Sequence, residues 1–127
     1  MPAFNFQSRF ATKVLDGTKL QTIRAERKDK RPHAKVGDTL SLYTGMRTKQ
    51  CLLLRTARCL DILDIYINPA GFYLFRGDQP IALKTKRPDL DKFAIADGFE
   101  SWEDLCQWLQ SNHQVALIGS VIRWAPI

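Results

Sequence analysis

Residues Gly17-Thr18-Lys19-Leu20-Gln21-Thr22-Ile23-Arg24 bring a helix end, a turn and a strand start into eight positions. Ahead of them, Ser8 to Asp16 sets Phe10, Val14 and Leu15 among polar Arg9 and Lys13, which predicts a short amphipathic helix opened by Ser8. Gly17 closes it, because glycine takes the left-handed position past a helix end with no Cβ penalty. Beyond the turn, Leu20 to Arg24 alternates and contains Thr and Ile, so it reads as a strand. The corner therefore carries an amine (Lys19), a hydroxyl (Thr22) and a guanidinium (Arg24). Thr22 and Arg24 are two apart and share a strand face, while Gln21 and Ile23 take the other. Lys19 reaches Thr22's side only if it still belongs to the turn or if a bulge intervenes. The bland alternative is a solvated edge strand with ordinary surface cations.

Outward from this corner, short strands and turns alternate. Phe4 to Phe6 reads as a first strand. Arg27 to Pro32 is too charged for a core and reads as an exposed basic loop. Val36-Gly37-Asp38 is a turn into the strand Thr39 to Tyr43, and Thr44 to Lys49 is a hairpin loop or rim turn. Gln50 to Ile67 is one long bent strand or two shorter ones. Asn68 to Gly71 reads as a turn, Phe72 to Phe75 as a strand, Gly77 to Pro80 as a turn and Ile81 to Lys84 as a strand. Pro88 to Ala96 predicts a short helix. Ser101-Trp102-Glu103-Asp104 resembles a capping box, opening a second helix whose stripe is Leu105, Trp108 and Leu109. Val115 to Trp124 closes the chain as a strand interrupted at Gly119. Many short strands with turn signals indicate an α+β protein built on a small barrel rather than a parallel sheet.

The 127 residues suffice for one domain, spanning 1–127, with its own core. No run of about 18 apolar residues occurs, so no membrane span is expected, and the N-terminus lacks a secretory pattern. Charge is unevenly spread. Residues 1–60 hold thirteen Lys/Arg against four Asp/Glu, residues 61–127 six against nine. A basic first half suits phosphate-bearing partners. Cys51, Cys59 and Cys106 have no paired spacing and read as reduced, buried, small hydrophobes of a cytoplasmic protein. His33 and His113 stand apart, so no zinc site is expected.

Gly17-x-Lys19-x-x-Thr22-x-Arg24 resembles the signature of the ASCH family. Phe4 to Phe10, the Lys35-Val36-Gly37-Asp38-Thr39-Leu40 turn and Asp97-Gly98-Phe99 before a helix are similar to further features of that family. The resemblance implies a PUA-like small mixed β-barrel, with one helix after the first strand and two short helices before the closing strand. It also implies an RNA or modified-ribonucleoside partner, with no metal and no cofactor.

The chain is similar at the corner to the small bacterial acetylcytidine amidohydrolases. By that resemblance Lys19 would activate Thr22, which would attack the acyl carbon, and a downstream carboxylate would complete the centre. In those enzymes a glutamate precedes the later helix, whereas here the stretch is Ala96-Asp97-Gly98-Phe99-Glu100-Ser101. Gly98 stands at the strictly aligned position, Asp97 is the nearest acid, one methylene shorter, and Glu100 is the alternative. Arg24, Arg47 and Lys49 are the candidate substrate-binding cations. Tyr43 and Tyr73 are the candidate stacking aromatics, each read alternatively as a half-buried strand residue. A non-catalytic RNA-binding module is the second expectation. Metal-assisted cleavage of single-stranded RNA is the third, for which only scattered acids (Asp38, Asp78, Asp97) are available.

Overall fold

A computed structural model describes residues 2–68, 71–81, 87–113 and 116–126. In chain order the elements are β1 (Ala3–Phe6), α1 (Ser8–Asp16), β2 (Gln21–Ala25), β3 (Thr39–Thr44), β4 (Leu52–Asn68), β5 (Gly71–Arg76), β6 (Gln79–Ile81), α2 (Arg87–Ala96), α3 (Trp102–His113) and β7 (Leu117–Trp124). The protein is α+β; the described residues form seven strands in one mixed sheet and three helices.

β4 organises the sheet. Its first half pairs antiparallel with β3, from Leu52 opposite Thr44 to Arg58 opposite Thr39. From Cys59 onward it pairs with β7, and from Asp64 onward with β5 on its other edge. The register slips between Cys59 and Asp61, where β4 exchanges one neighbour for another. An extra residue there bends the strand and re-aims it. The long apolar run is therefore one strand with a kink. β1 lies parallel to β3 and β2 antiparallel to β7.

The strands do not close into the barrel that the sequence suggested. Among the described residues, β1 pairs only with β3 and β2 only with β7. The free edges of β1 and β2 are bridged by a side chain instead of a ladder: Arg24 Nη2 donates to the Asn5 carbonyl at 2.8 Å. A guanidinium satisfying that carbonyl removes the reason for a strand N–H to do so.

The core runs through Leu40 and Leu42, Leu63 and Ile65, Val121, Ile122 and Trp124. Phe10 and Val14 of α1, Phe93 and Ala94 of α2, and Leu105 and Leu109 of α3 pack against the sheet residues. Gly17 ends α1 in the left-handed region at φ 84°. The N-cap is Gln7 rather than Ser8, and no side chain caps it. α3 does start at its expected cap, Ser101 Oγ accepting from Asp104 N at 3.2 Å. Asp104 does not complete the reciprocal half of the box; its carboxylate accepts from Glu100 N and from Arg9.

Other expectations are corrected or fall elsewhere. Cys51 is exposed and Cys106 only half-buried; Cys59 alone of the three is buried. Cys51 precedes exposed Leu52 and Leu53, where the end of β4 extends past the core. β6 begins at Gln79, inside the stretch read as a turn. Residues 82–84, 69–70 and 115 of the expected strand, turn and strand start lie outside the described residues. β7 is continuous through Gly119.

Gly119 instead lets β2 approach. A Cβ placed there would lie 2.0 Å from the Arg24 carbonyl oxygen. Backbone cannot yield as a flexible side chain can, so Gly119→Ala separates β2 from β7. Urea denaturation is expected to show a loss of about 3 kcal/mol, the upper end of overpacking costs. An unchanged midpoint would contradict this account of the glycine.

Candidate functional site

The gap between β1 and β2 opens onto a cavity of about 220 Å³. β1 contributes Asn5 and Phe6, α1 contributes Phe10, and β2 contributes Thr22 through Ala25. Gln7, Lys19, Asp97, Phe99 and Trp108 complete the wall. Lys19, Thr22, Arg24 and Asp97, separated by as many as 78 positions, thus line one space.

Lys19 belongs to the turn, not to β2, which begins at Gln21. Its own N–H bonds back to the Lys13 carbonyl at 3.0 Å, and the next residue, Leu20, donates to Ala96 O at 2.8 Å. This resolves the facing problem posed by the three-residue spacing. The side chain is buried, 2 % exposed, and its ammonium donates to the Asp97 carbonyl oxygen. It also lies over the rings of Phe10, at 4.8 Å, and Phe6, at 5.4 Å.

The Asp97-Gly98-Phe99 segment is the C-terminal cap of α2. Gly98 is left-handed at φ 94°, and Phe99 N returns to Ala94 O at 2.9 Å, the geometry that ends many helices. The last helix carbonyl and the two that follow it in the cap are taken by donors from residues 13–20. Leu20 N takes Ala96 O, Lys19 Nζ takes Asp97 O, and Lys13 Nζ takes Gly98 O at 2.9 Å. Two ammonium groups at the negative end of a helix are electrostatically well placed. Gly98 also cradles the Lys19 stem: a Cβ there would sit 2.9 Å from Lys19 Cδ and 2.8 Å from Phe10 Cδ1.

Asp97 is 3 % exposed, and its Oδ1 lies 3.9 Å from Lys19 Nζ, an ion-pair distance that is not a hydrogen bond. That oxygen has no hydrogen-bond partner. Burial pushes the carboxyl up to about 6, against the opposing pull of Lys19 and, less strongly, of Gln21 and Arg24. Gln21 aids the carboxylate electrostatically, although its Nε2 completes no hydrogen bond. Burial likewise brings the Lys19 ammonium down to about 8; Asp97 opposes the drop, and Arg24, Lys13 and Arg9 add to it.

Thr22 is 5 % exposed, and its Oγ1 accepts from Arg24 Nε at 3.1 Å. Arg24 therefore holds both the hydroxyl and the β1 carbonyl, with its guanidinium over Phe4 and Phe6 at 5.2 and 5.1 Å. Burial lowers its pKa and Asp97 opposes the drop; it remains the fixed cation of the site.

Glu100 does not line the cavity. It is exposed and bonded to Lys13 Nζ at 2.6 Å. Tyr43 is a half-buried strand residue opposite Asn5, and Arg47 and Lys49 are exposed on the β3–β4 loop. Neither the tyrosine nor the two cations line the cavity, although Met46 N of that loop bonds to Asn5 Oδ1 at 2.9 Å. Asn5 and Gln21 are site residues that sequence reading missed. Asn5 was hidden inside a short strand, and Gln21 was assigned to the face opposite Thr22. Its burial, with Oε1 accepting from Arg123 Nε at 3.2 Å, carries no local sequence signal. Among the described residues, no group of three His, Cys, Asp or Glu could hold a metal ion.

Compared with protein-family models, curated proteins and solved structures, the chain matches none.

The buried pair makes pH dependence specific. Lys19 has a folded pKa below its unfolded value of 10.5, so protonated Lys19 opposes folding and stability rises with pH between about 8 and 10.5. Asp97 has a folded pKa above 3.8, so its contribution falls as pH rises from about 4 to about 6. Side-chain NMR of Lys19 is expected to give a midpoint near 8, moving lower still in Asp97→Asn, which removes the charge that most favours the ammonium. A midpoint at 10 or above, or an upward move, would refute this electrostatic picture.

Proposed function

We propose that the cavity binds the base of a modified ribonucleoside and that the protein is an ASCH-type amidohydrolase, with a PUA-like fold, removing the acyl group from N4-acylated cytidine. One observation carries this reading: a buried lysine with a lowered pKa shares a cavity with a threonine whose oxygen is held by an arginine. A desolvated amine among other cations is how a lysine becomes a base near neutral pH. The volume supports a small occupant. Drug-sized ligands use roughly 300–1,000 Å³, so a cavity of about 220 Å³ suits one acylated base with its ribose outside.

The steps balance with these groups. Neutral Lys19 takes the Thr22 hydroxyl proton while Oγ1 attacks the acyl carbon, and the carbonyl electron pair moves onto oxygen. Arg24 stabilises the developing charge on the threonine side. The adduct collapses with cleavage of the carbon–nitrogen bond, and cytosine N4 leaves with the proton from Lys19. Water then attacks the threonine ester and gives a proton to Lys19; the carbon–Oγ1 bond breaks, the acid is released, and Lys19 passes that proton to Thr22 Oγ1. The Asp97 backbone carbonyl holds the lysine in place, and the nearby carboxylate stabilises its ammonium form between steps.

A binding-only module is favoured by a different observation, the exposed cations Arg47 and Lys49 on a loop tethered to Asn5. Incubation with N4-acetylcytidine separates the readings. As an enzyme, the protein is expected to release cytidine, with kcat/KM rising about tenfold per pH unit until it levels near pH 8. Thr22→Ala is expected to cost at least about a hundredfold in kcat, the low end of catalytic proton-transfer and nucleophile effects. Turnover unaffected by Thr22→Ala rejects the threonine mechanism. No turnover, accompanied by RNA affinity that falls with salt, favours the module.

A further inference from the structure

The face of the sheet that carries Thr22 and Arg24 continues well beyond the cavity. Arg24 is opposite Ser120, Ser120 opposite Asp64, and Asp64 opposite Phe75, a row across four strands. At about 4.8 Å per strand this row spans roughly 14 Å. Two residues along each strand, Tyr73, Tyr66 and Ile118 form a second row on the same face. These three are 44, 41 and 57 % exposed, although aromatic and branched apolar side chains in a sheet are usually covered. Tyr66 and Phe75 meet edge to face at 5.5 Å, which fixes both rings.

The 26–33 loop stands over this face. With Ile62, Asp64, Tyr66 and residues 118–120 it lines a cleft of about 240 Å³ that takes in Tyr66 and Ile118 of the second row. Arg27, Lys30 and Arg31 line the loop side. Arg27 and Arg31 share one carboxylate, Asp29, at 3.6 and 3.8 Å, and Lys30 meets Glu26 at 3.3 Å. Exposed pairs of this kind contribute at most about 1 kcal/mol, so phosphate oxygens can replace the acids. Residues 26–31 carry four cations against two acids, which leaves the wall positive.

We infer that this face is a track for single-stranded RNA: the strand whose target nucleotide enters the cavity lays its neighbours across the Asp64–Ser120 floor and stacks bases on Tyr66 and Tyr73, with phosphates along Arg27, Lys30 and Arg31. Every base has a face that an exposed ring can stack on, and backbone charge meets the loop. Asp64, which would repel phosphate, lies in the floor, where it accepts a hydrogen bond from a ribose 2′-hydroxyl or a base amine. The inference rests on the cavity reading only for where the track ends, and it extends the substrate from the nucleoside alone to the same nucleoside within a polymer.

The test is fluorescence anisotropy with a labelled single-stranded oligoribonucleotide of about ten nucleotides, the middle of known site sizes. Tyr66→Ala/Tyr73→Ala is expected to weaken binding at least about tenfold, whereas the Phe/Phe pair, which keeps both stacking faces, restores it. Arg27→Ala/Arg31→Ala is expected to reduce the salt slope by about 1.4, at about 0.7 per phosphate contact. All four residues are exposed, so an unchanged thermal midpoint verifies folding of each variant. Unchanged affinity in the Ala/Ala variant, or equal affinity for a duplex of the same sequence, overturns the track. Because the readout is affinity, tyrosine-dependent binding without deacetylation ends the amidohydrolase reading and leaves the track standing.

Discussion

Three backbone carbonyls at the end of α2 determine where the functional groups lie. A helix leaves its last carbonyls without partners, and a buried one left unmet costs about 1–3 kcal/mol. Here Ala96, Asp97 and Gly98 are met by one amide and two ammonium groups, all from residues 13–20. Burying an ammonium is costly by several kcal/mol. For Lys19 that cost is offset by a carbonyl, a carboxylate and two aromatic faces. The two parts of the chain define each other: without the corner, the carbonyls of Ala96, Asp97 and Gly98 lose their donors, and without α2, Lys19 has no reason to turn inward.

The unclosed edge is the second constraint. A ladder between β1 and β2 would occupy the space that the cavity now opens onto. Arg24 prevents it by satisfying the β1 carbonyl at Asn5 from the side. One guanidinium thus keeps the sheet apart, supports the Thr22 oxygen and places a fixed charge beside Lys19 and Asp97. Its planar, multiply donating head suits that combination, which a lysine could not reproduce.

Much of this was legible in residue order. Gly17 and the alternation after it located the corner, and Ser101 located the start of α3. The strands of the first half followed from period-two patterning. What was not legible depended on distant neighbours. Gly119 looks like a strand breaker locally and is instead required by β2 lying against it. Cys51 has the apolar neighbours of a core residue, but it sits where β4 outruns the core. Sheet closure is decided by whether one side chain or a ladder satisfies Asn5, and no local pattern encodes that. Sequence put Asp97 ahead of Glu100 by position alone; in the fold Asp97 lines the cavity, and Lys13 pairs with Glu100 at the surface.

The lysine and its carbonyl acceptor are separated by 78 positions along the chain, so the tuned amine exists only in the finished molecule. A nascent chain that has emerged only as far as β5 carries an ordinary, fully charged ammonium and an unremarkable alcohol. Whatever chemistry the cleft performs stays switched off during synthesis and disappears on unfolding.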